Sequence, residues 1–497
     1  INPTNRICTS ILSHERLSFF LKYGIAYLKN KQNIEKHVLR YPQLFACKAI
    51  VNHLENQHTK GIIWHTQGSG KTALVYFSLK NLIDFYKSKK IISKYYFIVD
   101  RIDLLKQASK EFRSRGLIVH NIDSKEEFSK DIKSTKAIHN NLGKDEITVV
   151  NIQKFKDDPN VINKNEYNID IQRIYFLDEV HRSYNPKGSF LANLEVSDPK
   201  AIKIGLTGTP LLGKNIKSRD LFGNYIHKYF YNSSIADGYT LRLIREEVEN
   251  QYKSILEKTL NEIKVLKGSV NRQDLYADSK FVEPLLDYIV KDFEKSRIMY
   301  SDNSIGGMVI CDSYEQAQEM FRIFKKKYLS KINIDEKENR VKSAELILYD
   351  EGTKDDRDVI IEKFKDGEID FLFVYNMLLT GFDSPRLKKI YLGRKIKSHN
   401  LLQALTRVNR QYNNFRYGYV VDFADIQKEF DKTNKAYFDE LELELGDEVK
   451  NYTEMFKSSV EIEHELEQAK KILFKYNTTN AEIFSQQINQ INNKIEI

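Results

Sequence analysis

The string His65-Thr66-Gln67-Gly68-Ser69-Gly70-Lys71-Thr72 follows a short apolar run, Gly61-Ile62-Ile63-Trp64, and precedes a helical stretch. Glycines at 68 and 70 let backbone N–H groups turn inward around phosphate oxygens, and the start of a helix adds a favourable dipole. In that arrangement Gln67, Gly68, Ser69 and Gly70 cradle a polyphosphate, Lys71 reaches its β- and γ-phosphates, and Thr72 ligates Mg2+. The usual first glycine of such a loop is replaced by His65. A second candidate is Asp178-Glu179-Val180-His181, at the end of the apolar run Ile174-Tyr175-Phe176-Leu177. Phosphoryl transfer to water needs one carboxylate to hold Mg2+ and another group to orient the attacking water; Asp178 and Glu179 fit those two roles. Thr207-Gly208-Thr209-Pro210 closes the following run, and its two hydroxyls are suited to linking a nucleotide site to a bound strand.

The second half of the chain supplies Val374-Tyr375-Asn376-Met377-Leu378-Leu379-Thr380-Gly381-Phe382-Asp383, then Gln403-Ala404-Leu405-Thr406-Arg407-Val408-Asn409-Arg410. Arg407 and Arg410 stand three apart, a spacing that predicts one helical face. Such a pair can reach across a cleft as arginine fingers and neutralise charge developing on a γ-phosphate. ATP with Mg2+ is therefore the expected cofactor, with Gly381 and Asp383 added to the residues that hold it.

These residues need a scaffold of strands ending in loops. Five short apolar runs precede residue 210 (around residues 61–64, 95–99, 147–150, 174–177 and 202–206), and five more lie at 307–310, 344–348, 371–374, 389–392 and 417–421. Continuous apolar strands alternating with helices predict parallel sheets covered on both faces. The predicted fold class is α/β, with two tandem parallel-sheet domains and a C-terminal helical region. The expected boundaries are 1–38 for a helical linker, 39–238 for the first domain, 239–425 for the second and 426–497 for the helical tail. Residues 241–299 read as helical and charged, and Phe438, Leu441 and Leu445 as one apolar face in the tail.

The chain has 497 residues, 41% apolar and 30% charged, ample for about three domains and unlike a disordered chain. No apolar stretch approaches the roughly 20 residues of a bilayer span, and the N-terminus INPTNRICTS carries no signal segment. Lacking an initiator Met, the chain is expected to be a fragment or a processed product. Cys8, Cys47 and Cys311 are too few and too scattered for a disulfide framework or a zinc cluster. A cytoplasmic setting without membrane association is expected. The net charge of +9 is compatible with a polyanionic partner. The basic runs Lys325-Lys326-Lys327 and Lys87-Ser88-Lys89-Lys90 read as solvated helix faces, and Trp64 and Cys311 as core.

The order of these elements resembles superfamily 2 helicases and translocases over roughly residues 40–422. WHTQGSGKT, VDRIDLLKQ, DEVHRS, LTGTP, LLTGFDSP and LLQALTRVNR together resemble the motor (R, or HsdR) subunit of type I restriction enzymes. The resemblance implies ATP bound between two RecA-like domains, with Arg40 and Gln43 reading adenine. It places Arg101 and Gln107 (motif Ia) and Asn151 and Gln153 (motif Ib) on a nucleic-acid track. His181, Thr207, Thr209 and Gln403 would couple hydrolysis to domain closure. It further implies ATP-driven translocation along double-stranded DNA, in complex with methyltransferase (M) and specificity (S) subunits, and cleavage far from the recognition site. The family's nuclease residues have no match in this sequence, so cleavage is implied only for a full-length subunit, and residues 1–38 would lead from its nuclease domain. The competing expectations are another superfamily 2 DNA or RNA helicase and a non-catalytic nucleic-acid scaffold.

Overall fold

In the computed structural model, the residues described are 10, 12–30, 33–66, 68–100, 102–134, 136, 138–151, 171–178, 194, 198–208, 222–248, 250–267, 271–328, 339–378, 382–396, 398–424, 459–473, 475, 480, 482–483 and 487. A helix, His14–Tyr23, leads into a hairpin of β1 (Ile25–Asn30) and β2 (Asn33–Val38), paired antiparallel. The helix agrees with the expected helical segment, whereas the hairpin does not. Residues alternate there between buried Ala26 and exposed Tyr27, a period of two that suits a strand covering a core edge on one face.

The first sheet holds β3 (Lys60–His65), β4 (Ile92–Val99), β5 (Ile118–Ile122), β6 (Glu146–Asn151), β7 (Ile171–Asp178), β8 (Ile202–Thr207) and β9 (Tyr225–Tyr229), in the order β5-β6-β4-β7-β8-β3-β9. Every pairing is parallel. Alternate residues serve opposite faces: Ile63, Phe97, Val99 and Phe176 pack into one core layer, and Ile62, Tyr96, Ile98 and Tyr175 into the other. Each fully buried side chain of this kind contributes roughly 1.5–3 kcal/mol. Burial on both faces is why these strands read as unbroken apolar runs.

The second sheet, also parallel throughout, holds β10 (Arg242–Glu247), β11 (Gly306–Ile310), β12 (Ala344–Ile347), β13 (Phe371–Val374), β14 (Leu387–Leu392) and β15 (Tyr417–Asp422), in the order β10-β15-β14-β11-β13-β12. β10 falls in the stretch expected to be helical. It is an edge strand in which Leu243 is fully buried, and it docks through the Arg245 guanidinium, whose Nη2 donates to Asp422 Oδ2 at 2.8 Å. So few apolar residues leave an edge strand hard to see in sequence. The helices Asn250–Lys267 and Ser279–Tyr300 follow as expected. Of the tail, the helix Ser459–Leu473 is described; Phe438, Leu441 and Leu445 lie outside the described residues. Among the described residues, no helix is long and apolar enough to cross a membrane.

Candidate nucleotide site between two sheets

In the first sheet β7, β8 and β3 are consecutive, so Asp178, Thr207 and the loop after His65 emerge side by side at the carboxyl ends of parallel strands. Ligands of open α/β sheets bind at that edge. Gly68 and Gly70 have φ of +87° and +81°, in the left-handed region that glycine enters without strain. Gly70 caps the helix Lys71–Ser88, so Lys71 and Thr72 occupy its first turn. Below the loop, Ser69 Oγ donates to Thr66 O at 2.6 Å.

Gln43 is buried under the same loop. Its Nε2 donates to Gly70 O at 3.0 Å and to Ser69 O at 3.2 Å, while its Oε1 accepts from Arg40 N at 2.9 Å. The Arg40 guanidinium lies 4.3 Å from the centre of the Tyr239 ring. Arg40 and Gln43 are thus tied to the phosphate loop at one end and to the chain crossing between the sheets at the other. His65, where a glycine is usual, is completely buried and its Nε2 lies 2.8 Å from Nδ1 of His227 on β9. Burial holds His65 well below the usual imidazole range, and His227 is pushed down to about 4 by the same cause. Two neutral rings therefore fasten β9 to the loop strand. Trp64 is fully buried, as expected, with its ring against Phe230 and Tyr225.

From the second sheet comes Arg410. Its Nε meets Asp383 Oδ1 at 3.0 Å, and its Nη1 lies 1.6 Å from where a Cβ on residue 68 would stand. The guanidinium occupies the space that glycine leaves open in the phosphate loop. Arg407 differs from its expected placement. The helix Ser398–Leu405 ends before it, with the Thr406 hydroxyl donating to Gln403 O at 2.9 Å. Arg407 and Arg410 therefore do not share a helical face: Arg407 is buried with Nη1 donating to Phe382 O, whereas Arg410 is extended and bridges Thr240. Gln403 and Thr207 are both buried.

Of the residues expected on a nucleic-acid track, Gln107 is exposed on the helix Ile102–Ser114. Asn151 is completely buried at the end of β6, so its side chain is not presented for contact with a polyanion. Strand ends inside a two-sided sheet are enclosed by their neighbours, which a linear motif does not reveal. Gln67, Arg101, Gln153, Glu179, His181, Thr209 and Gly381 lie outside the described residues.

The sequence matches the SWI2/SNF2 ATPase family over residues 42–273, and domain 3 of type I restriction enzyme subunit R over residues 301–425. Over these stretches the chain is similar to type I restriction R subunits. An endonuclease subunit of a type I restriction enzyme from Staphylococcus aureus (strain MSSA476) is 25% identical over 441 residues, covering 80% of this chain and 45% of that protein. Two solved structures share the fold. A fragment described as an HsdR subunit of a type I restriction enzyme from Vibrio vulnificus YJ016 has 17% identity and a TM-score of 0.51, with 86% of this chain and 70% of that one covered. An ATP-dependent type ISP restriction–modification enzyme, solved bound to DNA, has 14% identity and a TM-score of 0.54 over 85% of this chain and 31% of that one. The chain spans about half or less of the length of the curated relatives it matches.

Three residues of the cleft carry no motif signal. His227 and Tyr239 are paired with His65 and Arg40 only through the fold. Lys388, in contrast, is one of two adjacent lysines in the apolar run Leu387-Lys388-Lys389-Ile390-Tyr391-Leu392, an oddity visible in the sequence.

Proposed function

We propose that this chain is the motor portion of a type I restriction R subunit, an ATP hydrolase that drives translocation along double-stranded DNA. The observation that carries the reading is Arg410, which stands over Gly68 from the opposite sheet and so makes the site depend on both halves of the chain. The residues suit a Mg-nucleotide: the Thr72 hydroxyl and Asp178 carboxylate are hard oxygen donors, and Gly68 to Thr72 open onto a helix start. Bound Mg2+ supplies charge neutralisation on the transferring phosphoryl group. Lys71 holds the β- and γ-phosphates, Glu179 orients the attacking water and Arg410 neutralises the developing charge.

Arg407 acts as a strut beneath the Phe382–Asp383 turn. Gln43 and Arg40 position adenine, with Asp383 at the rim, and Thr207 and Gln403 sit where closure of the sheets would be sensed. His181 and Thr209 join that coupling set. DNA contacts are chiefly to phosphates, made by Gln107 on the exposed helix together with Arg101 and Gln153, so binding is salt-sensitive and blind to sequence. Sequence choice then comes from the S subunit, with the M subunit completing the assembly. DNA cleavage belongs to a longer subunit, and a cytoplasmic setting goes with this reading.

The test is ATP turnover with duplex DNA, single-stranded DNA, RNA or no polymer, for wild type and Lys71→Ala, with M and S subunits added in parallel. Duplex-stimulated turnover that Lys71→Ala abolishes is expected. Stimulation by single strands or RNA instead would favour a strand-separating helicase. Absence of turnover and of ATP binding in every mixture would overturn the motor reading.

A further inference from the structure

β14 carries two buried lysines side by side, Lys388 and Lys389, which point to opposite faces of the sheet and are 1% and 3% exposed. Burying an ammonium is costly unless it is paired. Lys389 is paired in the ordinary way, 2.6 Å from Glu246 Oε2 and 2.8 Å from Asp292 Oδ2. Lys388 is not. Among the described residues no carboxylate lies within ion-pair reach of it, and its Nζ donates instead to the backbone carbonyls of Arg410 and, at 3.4 Å, Val408. Those carbonyls belong to the turn that follows the helix Ser398–Leu405 and delivers Arg410 to the phosphate loop. Leu241 N donates to Asn409 O at 2.7 Å from the other side, and a Cβ at Gly418 would stand 2.3 Å from Val408 O, so the turn is gripped by three elements.

We propose that Lys388 is a positioning residue for Arg410: its ammonium clamps the Val408–Arg410 backbone so that the guanidinium is held over Gly68. This rests on the reading of Arg410 as an arginine finger. Among the described residues, the charged groups that act on Lys388 are Arg410, which repels it, and Asp383, which attracts it. Burial and then the Arg410 charge pull its ammonium down to about 7. Its grip therefore weakens as pH rises past neutrality, because the neutral amine is a poorer donor to carbonyl oxygen.

The experiment is ATP turnover by the full chain with duplex DNA, and with M and S subunits where turnover requires them, measured across pH for wild type, Lys388→Met, Lys388→Arg and Arg410→Ala. Lys388→Met is expected to lose about tenfold or more in kcat, with KM for ATP within about twofold, because a displaced finger is felt in the transition state. Lys388→Arg should recover most of the rate and lack the decline above neutrality, since a guanidinium does not deprotonate there. Lys388→Met turning over within about twofold of wild type, while Arg410→Ala is inactive, overturns the role of Lys388 and leaves the finger standing. Full turnover by Arg410→Ala overturns the finger itself. Should Lys388→Met not fold, a Lys388→Arg profile that declines with pH as wild type does overturns the proposal.

Discussion

On the first sheet, Lys94 of β4 is enclosed by Asp131, whose Oδ1 lies 2.9 Å away, and by the carbonyls of Asp131 and Lys136. Tyr96 Oη donates to Asp131 Oδ2 at 2.8 Å, and His139 spans from Asp131 to Glu146, at 2.5 and 2.6 Å. On the second sheet, Lys388 and Arg410 crowd together with one partly exposed carboxylate, Asp383, at their edge. The first arrangement balances each buried cation with an anion. His120, Asp131 and His139 bring metal-ligating atoms within 4.8 Å of one another, yet the Asp131 carboxylate is already taken by Lys94, Tyr96 and His139. The second arrangement is left short of negative charge, which the phosphates of a nucleotide would supply. A closed network holds a fold together, and an open one is held ready for a ligand.

That contrast breaks if the closed network proves to matter for turnover. Asp131→Asn leaves the Lys94 ammonium buried without its anion, so a loss of about 3–5 kcal/mol in unfolding free energy is expected, measured by urea denaturation. Turnover per folded molecule should not change, and a variant as stable as wild type but slow would place this cluster in the motor. Glu146→Gln is a milder version. Burial pushes the Glu146 carboxyl up, but hydrogen bonds from Asn140 and His139 outweigh it and leave the group below the usual carboxylate range. A lowered carboxyl contributes stability that is present above its unfolded range and lost as pH falls through its folded value. Glu146→Gln should therefore cost about 1–3 kcal/mol at neutral pH and converge with wild type in acid. Parallel stability curves down to the acid transition would remove the carboxylate from the account.

The turn at Gly68 and Gly70 was legible in sequence because glycines encode backbone geometry directly: the φ values there are ones that other residues avoid. The ten apolar runs were legible for a related reason, since two-faced burial leaves little room for polar residues. Arg407 and Arg410 were not distinguishable. Their separation depends on where the helix Ser398–Leu405 stops, and the Thr406 hydroxyl turning back to Gln403 O is a local competition that spacing does not reveal. The hairpin Ile25–Val38 and the edge strand Arg242–Glu247 were hidden by short length and charge. Asn151 shows the opposite error, a motif position that the sheet encloses.

A finer test concerns the surface that joins the sheets. Lys106 Nζ, on the helix Ile102–Ser114, lies 3.1 Å from Asp358 Oδ2 on the helix Lys354–Asp366, with both side chains about half exposed. Water screens such a pair and two long side chains must be immobilised to form it, so it is worth about 0.2–1 kcal/mol. Its location matters more than its size, because it connects the two lobes outside the cleft and exists only while they are together. A double-mutant cycle with Lys106→Ala and Asp358→Ala, read as the closed fraction by energy transfer between dyes on the two lobes, should return a coupling of that size at low salt. The coupling should fade at about 1 M salt, where the Debye length is about 3 Å. A coupling that survives high salt would mean that the pair is shielded from solvent and that closure is fastened at the rim as well as through Arg410.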